Sequence, residues 1–166
     1  MSTAEAVIAL LRERGWTIGV AESLTGGDLV SALVSVPGAS NALRGGVVAY
    51  ATPLKHSLLG VDAALLAAHG AVHPEVARQM AEGVRAAVAV DGKPADVGVS
   101  TTGVAGPDPQ DGQPVGTVHI AVATAAGTGI RSFLLEGDRP EIRRQASDAA
   151  LHAVHETLLD QGRDGE

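Results

Sequence analysis

The chain has 166 residues, no cysteine, a formal net charge of −7 and one residue each of Trp, Tyr and Phe. That length suits a single domain with its own core, and the missing cysteines exclude both a disulfide framework and thiolate chemistry. The acidic, aromatic-poor composition argues against nucleic acid as a partner, and no apolar run approaches the roughly 18 residues of a membrane helix. With no signal segment at the start, a cytoplasmic protein that binds a small molecule is the expectation.

Residues 3–15 place Ala6, Val7, Leu10 and Leu11 at helical spacing and end on a glycine suited to a C-cap. The segment WTIGVAES then reads as a strand, GGDLVSALVSVPG as a helix stopped by Pro37-Gly38, and RGGVVAYAT as a second strand. Pro53 opens a short helix through Leu59, DAALLAAHG supplies another, and residues 73–90 a long one with Val76, Met80, Val84 and Val88 on one face. After these come a strand in ADVGVSTTGVAG, a hairpin turning near Gly127-Thr128-Gly129, and a helix from about Pro140 to Leu159. The domain is expected over residues 1–160, with a frayed polar tail over 161–166. Strands interleaved with helices, plus one hairpin, predict a mostly parallel mixed α/β sheet with one antiparallel strand and helices on both faces.

Ligands in such sheets bind beyond the carboxyl ends of the parallel strands, and here those ends carry Glu22-Ser23, Tyr50-Ala51-Thr52 and Ser100-Thr101-Thr102-Gly103. Ser23, Thr25 and Asp28 are each residues that can cap a helix. The Gly26-Gly27 pair, however, costs helix stability and suits a close approach by an oxyanion or phosphate. Lys55 falls in the first turn of the helix that Pro53 opens, with Thr52 as the expected N-cap. A cation opposes the dipole there, in a chain with ten arginines and only two lysines. That position, with burial, lowers a lysine's pKa and makes a neutral amine base feasible; the competing reading is a surface lysine reaching water.

Tyr50 precedes it as an ordinary strand aromatic or a site hydroxyl. Farther on, STTGVAGPDPQDGQPVGT matches neither a P-loop nor a dinucleotide fingerprint, yet its hydroxyls and glycines can line a pocket. In GDRPEIRRQA, Asp138 and Glu141 form a capping box, while Arg139 and Arg143 share a face at the helix start. They either pair with carboxylates or hold a phosphate. The histidines 69, 73, 152 and 155 follow no zinc-ligand motif, and His119, in an apolar strand, reads as structural. Leu29, Leu33 and Val36 form an apolar face that can serve the core or a homodimer contact.

Together AESLTGG, YATPLK, STTGVAGPDPQDGQPVGT and GDRPEIRRQA resemble the CinA C-terminal domain family, the nicotinamide mononucleotide amidohydrolases, in order over nearly the whole chain. The resemblance implies a three-layer α/β/α sandwich around a mixed five-stranded sheet. It also implies hydrolysis of the carboxamide of nicotinamide mononucleotide to nicotinic acid mononucleotide and ammonia, by a serine–lysine mechanism with no metal and no cofactor. Carried over by position, Ser23 is the nucleophile, Lys55 the base and Tyr50 a hydroxyl that relays or orients the proton. Thr25, Gly26, Gly27, Thr102 and Gly103 line the amide and oxyanion site, and Arg143, with Arg139, takes the phosphate. Leu24 departs from the cysteine that commonly follows the serine in the family, which puts fine substrate preference in question. Longer relatives add an N-terminal domain similar to molybdopterin-binding proteins, for which 166 residues leave no room. Two rival functions stand beside the amidase: a non-catalytic phosphate-ligand module acting through a protein partner in competence or damage responses, and a metal-dependent hydrolase.

Overall fold

The computed structural model describes residues 1–163. Six α-helices and five strands follow one another as α1 (Thr3–Arg14), β1 (Ile18–Glu22), α2 (Asp28–Val34), β2 (Leu43–Val48), α3 (Thr52–Leu59), α4 (Ala63–His69), α5 (Pro74–Ala87), β3 (Val97–Gly103), β4 (Thr117–Thr124), β5 (Gly127–Leu134) and α6 (Arg139–Arg163). The sheet order is β2-β1-β3-β4-β5. Strand β1 pairs in parallel with β2 and β3, and β4 runs antiparallel between β3 and β5. Helices α1, α2 and α6 cover one face and α3, α4 and α5 the other, which makes the expected three-layer sandwich.

Strand alternation builds the two cores. Ile18 and Val20 of β1, Val97 and Val99 of β3 and Val118, Ile120 and Val122 of β4 face the α1–α2–α6 layer. The opposite positions are small: Gly19 and Ala21, Gly98 and Ser100, Ala121 and Ala123. Small residues let α5 lie close to the sheet, with the Ser100 hydroxyl donating to Ala77 O at 2.6 Å. The same helix meets α3 through Gly83, where a Cβ would stand 1.8 Å from Leu59 O. Helix α3 is thus seated against backbone.

Strand β2 ends at Val48, short of the expected Tyr50-Ala51-Thr52, and three further boundaries differ from the sequence expectation. Ala51, not Thr52, is the N-cap of α3. The hairpin reverses at Ala125-Ala126, with Thr124 paired to Gly127, so Gly127-Thr128-Gly129 lies inside β5. Helix α6 continues through residues 161–163, where a tail was expected. The Gln161 side chain donates to Thr124 Oγ1 at 2.8 Å and Arg14 to Leu158 O, contacts that hold the last turns. The remainder of that tail, 164–166, lies outside the described residues. Leu29 and Leu33 belong to the core, with Val36 packed against it.

Candidate active site

The two parallel connections cross opposite faces of the sheet, α2 joining β1 to β2 on one face and α3–α5 joining β2 to β3 on the other, so the crevice opens beyond the carboxyl ends of β1 and β3. Continuing the alternation of Gly19 and Ala21 places Ser23 toward the α3–α5 layer, and Glu22 toward α2. Both placements have consequences.

Glu22, 1 % exposed, accepts hydrogen bonds from the N–H groups of Gly27 (3.2 Å), Leu29 (2.9 Å) and Val30 (3.0 Å). It supplies the cap that α2, starting after Gly27 with no side-chain cap of its own, otherwise lacks. The Gly26 N–H donates to Ser23 O at 3.1 Å. Both glycine donors are therefore engaged inside the chain, which corrects the expectation that Gly26-Gly27 offers bare N–H groups to an oxyanion or phosphate. The glycines serve the turn instead, with φ of 61° and 104°. Thr25 is fully buried and shares a 2.9 Å hydroxyl contact with Thr101, whose Oγ1 also accepts from the Ser23 N–H at 3.4 Å. It supports the turn from beneath.

Lys55 is 1 % exposed, and its Nζ lies 2.9 Å from Ser23 Oγ, 2.7 Å from Ala49 O and 3.4 Å from Tyr50 O. Burial pushes its pKa down to about 8, while the charge of Asp111 pulls it back up. A neutral amine has two N–H bonds and one lone pair. The two carbonyls can take the N–H bonds, leaving the lone pair to face the Ser23 hydroxyl. The surface-lysine reading is excluded.

Ser23, Leu24, Tyr50, Lys55, Thr102, Gly103 and Arg139 line one cleft, completed by Asp108 and Gln110 from the β3–β4 loop. Thr102 reaches it with its hydroxyl already donated to Ala71 O at 2.8 Å. Tyr50 lies past the end of β2 and is 60 % exposed; its hydroxyl accepts from Arg139 at 3.1 Å and does not bond the Ser23–Lys55 pair. Only its backbone carbonyl meets the lysine, so no hydrogen bond here joins its hydroxyl to the pair whose proton it was expected to relay or orient. Arg139 also donates to Gly106 O at 2.6 Å. Arg143, by contrast, donates to Leu24 O (2.9 Å) and Thr25 O (3.0 Å) and pairs with Asp28 at 3.1 Å, outside the cleft lining. Of the two arginines expected at a phosphate, the fold aims Arg139 at the cleft and spends Arg143 on the serine turn.

Glu22 and Thr101 were read only as polar strand-end residues, and Asp108 and Gln110 only as part of the glycine-rich loop. A signal existed for Glu22: a helix opening on two glycines needs its orphan donors satisfied from elsewhere. His69 and His73 stack with centroids 4.7 Å apart, and His119 contacts Ser132 Oγ at 2.7 Å. Among the described residues no three His, Cys, Asp or Glu side chains converge on a point suited to a metal ion.

The profile of the CinA C-terminal domain matches residues 1–158. The chain belongs to the CinA C-terminal domain family. A CinA-like protein of Frankia casuarinae is 53% identical over 152 residues, covering 92% of this chain and 34% of that protein. A CinA-like protein of Anaeromyxobacter dehalogenans is 48% identical over 155 residues, covering 92% of this chain and 36% of the relative. The chain thus spans about a third of the length of these curated CinA relatives. The crystal structure of a competence-damaged protein (CinA) superfamily protein from Klebsiella pneumoniae superposes with a TM-score of 0.88 at 31% identity, over 95% of this chain and 96% of the other. The competence/damage inducible protein CihA from Agrobacterium tumefaciens gives 0.83 at 31% identity, over 94% and 93%. No helix among the described residues is long and apolar enough to cross a membrane.

Proposed function

We propose that this CinA domain is a serine amidohydrolase that cleaves the carboxamide of nicotinamide mononucleotide. The observation that carries the reading is the buried Lys55 Nζ, 2.9 Å from Ser23 Oγ and held by two backbone carbonyls. Ser23 Oγ attacks the carboxamide carbon while the Lys55 amine takes the hydroxyl proton. The resulting ammonium returns a proton to the departing nitrogen, so ammonia leaves and a nicotinoyl ester remains on Ser23. Water, deprotonated by the same amine, then attacks the ester, and the ammonium returns that proton to the departing Ser23 Oγ, releasing nicotinic acid mononucleotide and the free serine. Arg139, exposed at the cleft and needing no deprotonation, suits the 5′-phosphate.

The test is incubation of the purified chain with nicotinamide mononucleotide, with ammonia and product acid followed together. Turnover should fall by about three orders of magnitude or more in Ser23→Ala, with substrate binding retained. Ser23→Ala activity within about tenfold of the parent eliminates the nucleophile. Binding of the mononucleotide by the parent without ammonia release would instead establish the ligand-binding module.

A further inference from the structure

The chain contains the same dipeptide turn twice. Val90-Asp91-Gly92-Lys93 and Gln110-Asp111-Gly112-Gln113 each close on an isolated antiparallel bridge, with both central residues left-handed: φ 51° and 75° in the first, 52° and 72° in the second. This is the Asp-Gly form of a tight hairpin turn, and it explains an aspartate at either position on local grounds. Their carboxylates fare differently. Both residues are exposed, but Asp91 makes no hydrogen bond among the described residues. Asp111 Oδ2 accepts from the Ala71 N–H at 3.0 Å, forty residues away in sequence.

The surroundings of that bond are shaped for it. A Cβ at Gly70 would stand 2.3 Å from the Asp111 carboxyl carbon, so the segment between α4 and α5 leaves room for the side chain. Ala71 carries the bond into the cleft: its carbonyl accepts from Thr102, and both residues line the cleft beside Lys55. On the loop side, the residue before Asp111 is Gln110, which lines the cleft together with Asp108. The carboxylate therefore joins the free end of the β3–β4 loop to the wall opposite.

We propose that Asp111 is a positioning residue of the site, whose carboxylate latches the Asp108–Gln110 loop to the Ala71 wall and sets a negative charge within electrostatic reach of Lys55. The inference deepens the Ser23–Lys55 reading and rests on it. The other ionisable groups around Lys55 are spoken for differently. Tyr50 and Arg139 bond each other, and Asp108, as exposed as Asp111, makes no hydrogen bond to the wall among the described residues. His56, on the lysine's own helix, contacts Val61 O, while Glu22 is saturated by α2. On the packed helices His69 stacks on His73, Arg78 pairs with Glu75 and Glu82, and Arg85 donates to Ala95 O. Against the larger effect of burial, the charge of Asp111, tied to the Ala71 wall, favours the protonated form of the Lys55 amine.

Two readouts test this, one of which needs no substrate. The chain has two lysines, so lysine-specific 13C labelling gives two side-chain signals, with exposed Lys93 as an internal control. Asp111→Asn keeps an acceptor for Ala71 and suits a left-handed residue, but removes the charge. Lys55 should then titrate about half a pH unit lower than in the parent, with Lys93 unmoved. Asp111→Gly keeps the turn and removes the latch, and should raise KM for nicotinamide mononucleotide about three- to tenfold with little change in kcat. Asp91→Asn should move neither quantity. A Lys55 midpoint unchanged in Asp111→Asn, or a parental KM in Asp111→Gly, overturns the proposal. Because the titration is read without turnover, a chain that does not hydrolyse the mononucleotide would sink the amidase reading and leave the midpoint test decisive for Asp111's charge.

Discussion

Lys55 and Arg139 are both cations on the cleft, yet they are mounted in opposite ways. Lys55 comes from beneath, 1 % exposed, and its three contacts are oxygens of the chain, one of them the serine. Arg139 comes from the first turn of α6, exposed, holding one carbonyl and the hydroxyl of the equally open Tyr50. Burial makes the lysine's proton affinity adjustable, because taking a charge out of water is expensive. Exposure leaves the arginine a permanent charge on a movable arm, suited to recognising an anion and unable to accept a proton. The floor of the cleft fits chemistry, and the rim fits recognition.

If that division is right, Lys55 substitutions have the largest effect. Lys55→Met removes the amine, and Lys55→Arg keeps a charge that does not deprotonate near neutral pH. Both should cost about three orders of magnitude in kcat/KM. In the parent, the amine gains a proton as pH falls through its midpoint near 8, so turnover should decline on the acid side of that value. An arginine variant with near-parental turnover would move Lys55 from the chemistry to the recognition half. At the rim, Arg139→Ala should weaken use of the mononucleotide about ten- to hundredfold while leaving the phosphate-free riboside unaffected, the size of a charge-assisted contact. Equal losses on both substrates would remove the phosphate from Arg139. The smallest effect belongs to Arg143→Ala. It loosens the turn at Leu24 and Thr25, and should lower kcat about fivefold for mononucleotide and riboside alike, consistent with one lost hydrogen-bonding group. A selective loss on the mononucleotide would return Arg143 to the phosphate.

The contrast between those two arginines shows where sequence reading stops. Spacing of four places Arg139 and Arg143 on one helix face, and both do lie at the start of α6. Which of them is free depends on carbonyls more than a hundred residues away, and no local pattern encodes that. Gly26-Gly27 failed for a different, local reason: the glycines mark a tight turn, but their N–H groups are claimed within it, that of Gly26 by Ser23 O and that of Gly27 by the Glu22 carboxylate. Ser23 and Lys55 were legible because each breaks or uses a local rule, a serine at a strand end and a cation in a helix's first turn. The alternation of strands and helices likewise disclosed the layers. The hairpin reversal at Ala125-Ala126 was not legible, because alanines carry no turn signature while the nearby Gly127 and Gly129 do.

The absence of a side chain at Gly83 reaches further than packing. Helix α3 can press against α5 only because nothing projects from that position toward Leu59 O, and α3 is the helix that carries Lys55 into the dry interior. Gly83→Ala would push α3 outward and let water reach the amine, whose affinity for a proton would climb back toward that of an ordinary lysine. The amine would then be free to act as a base only in more alkaline solution, and the optimum of the reaction would drift upward with no change to any group that meets the substrate. The working pH of this site is, on that account, a property of how closely two helices approach.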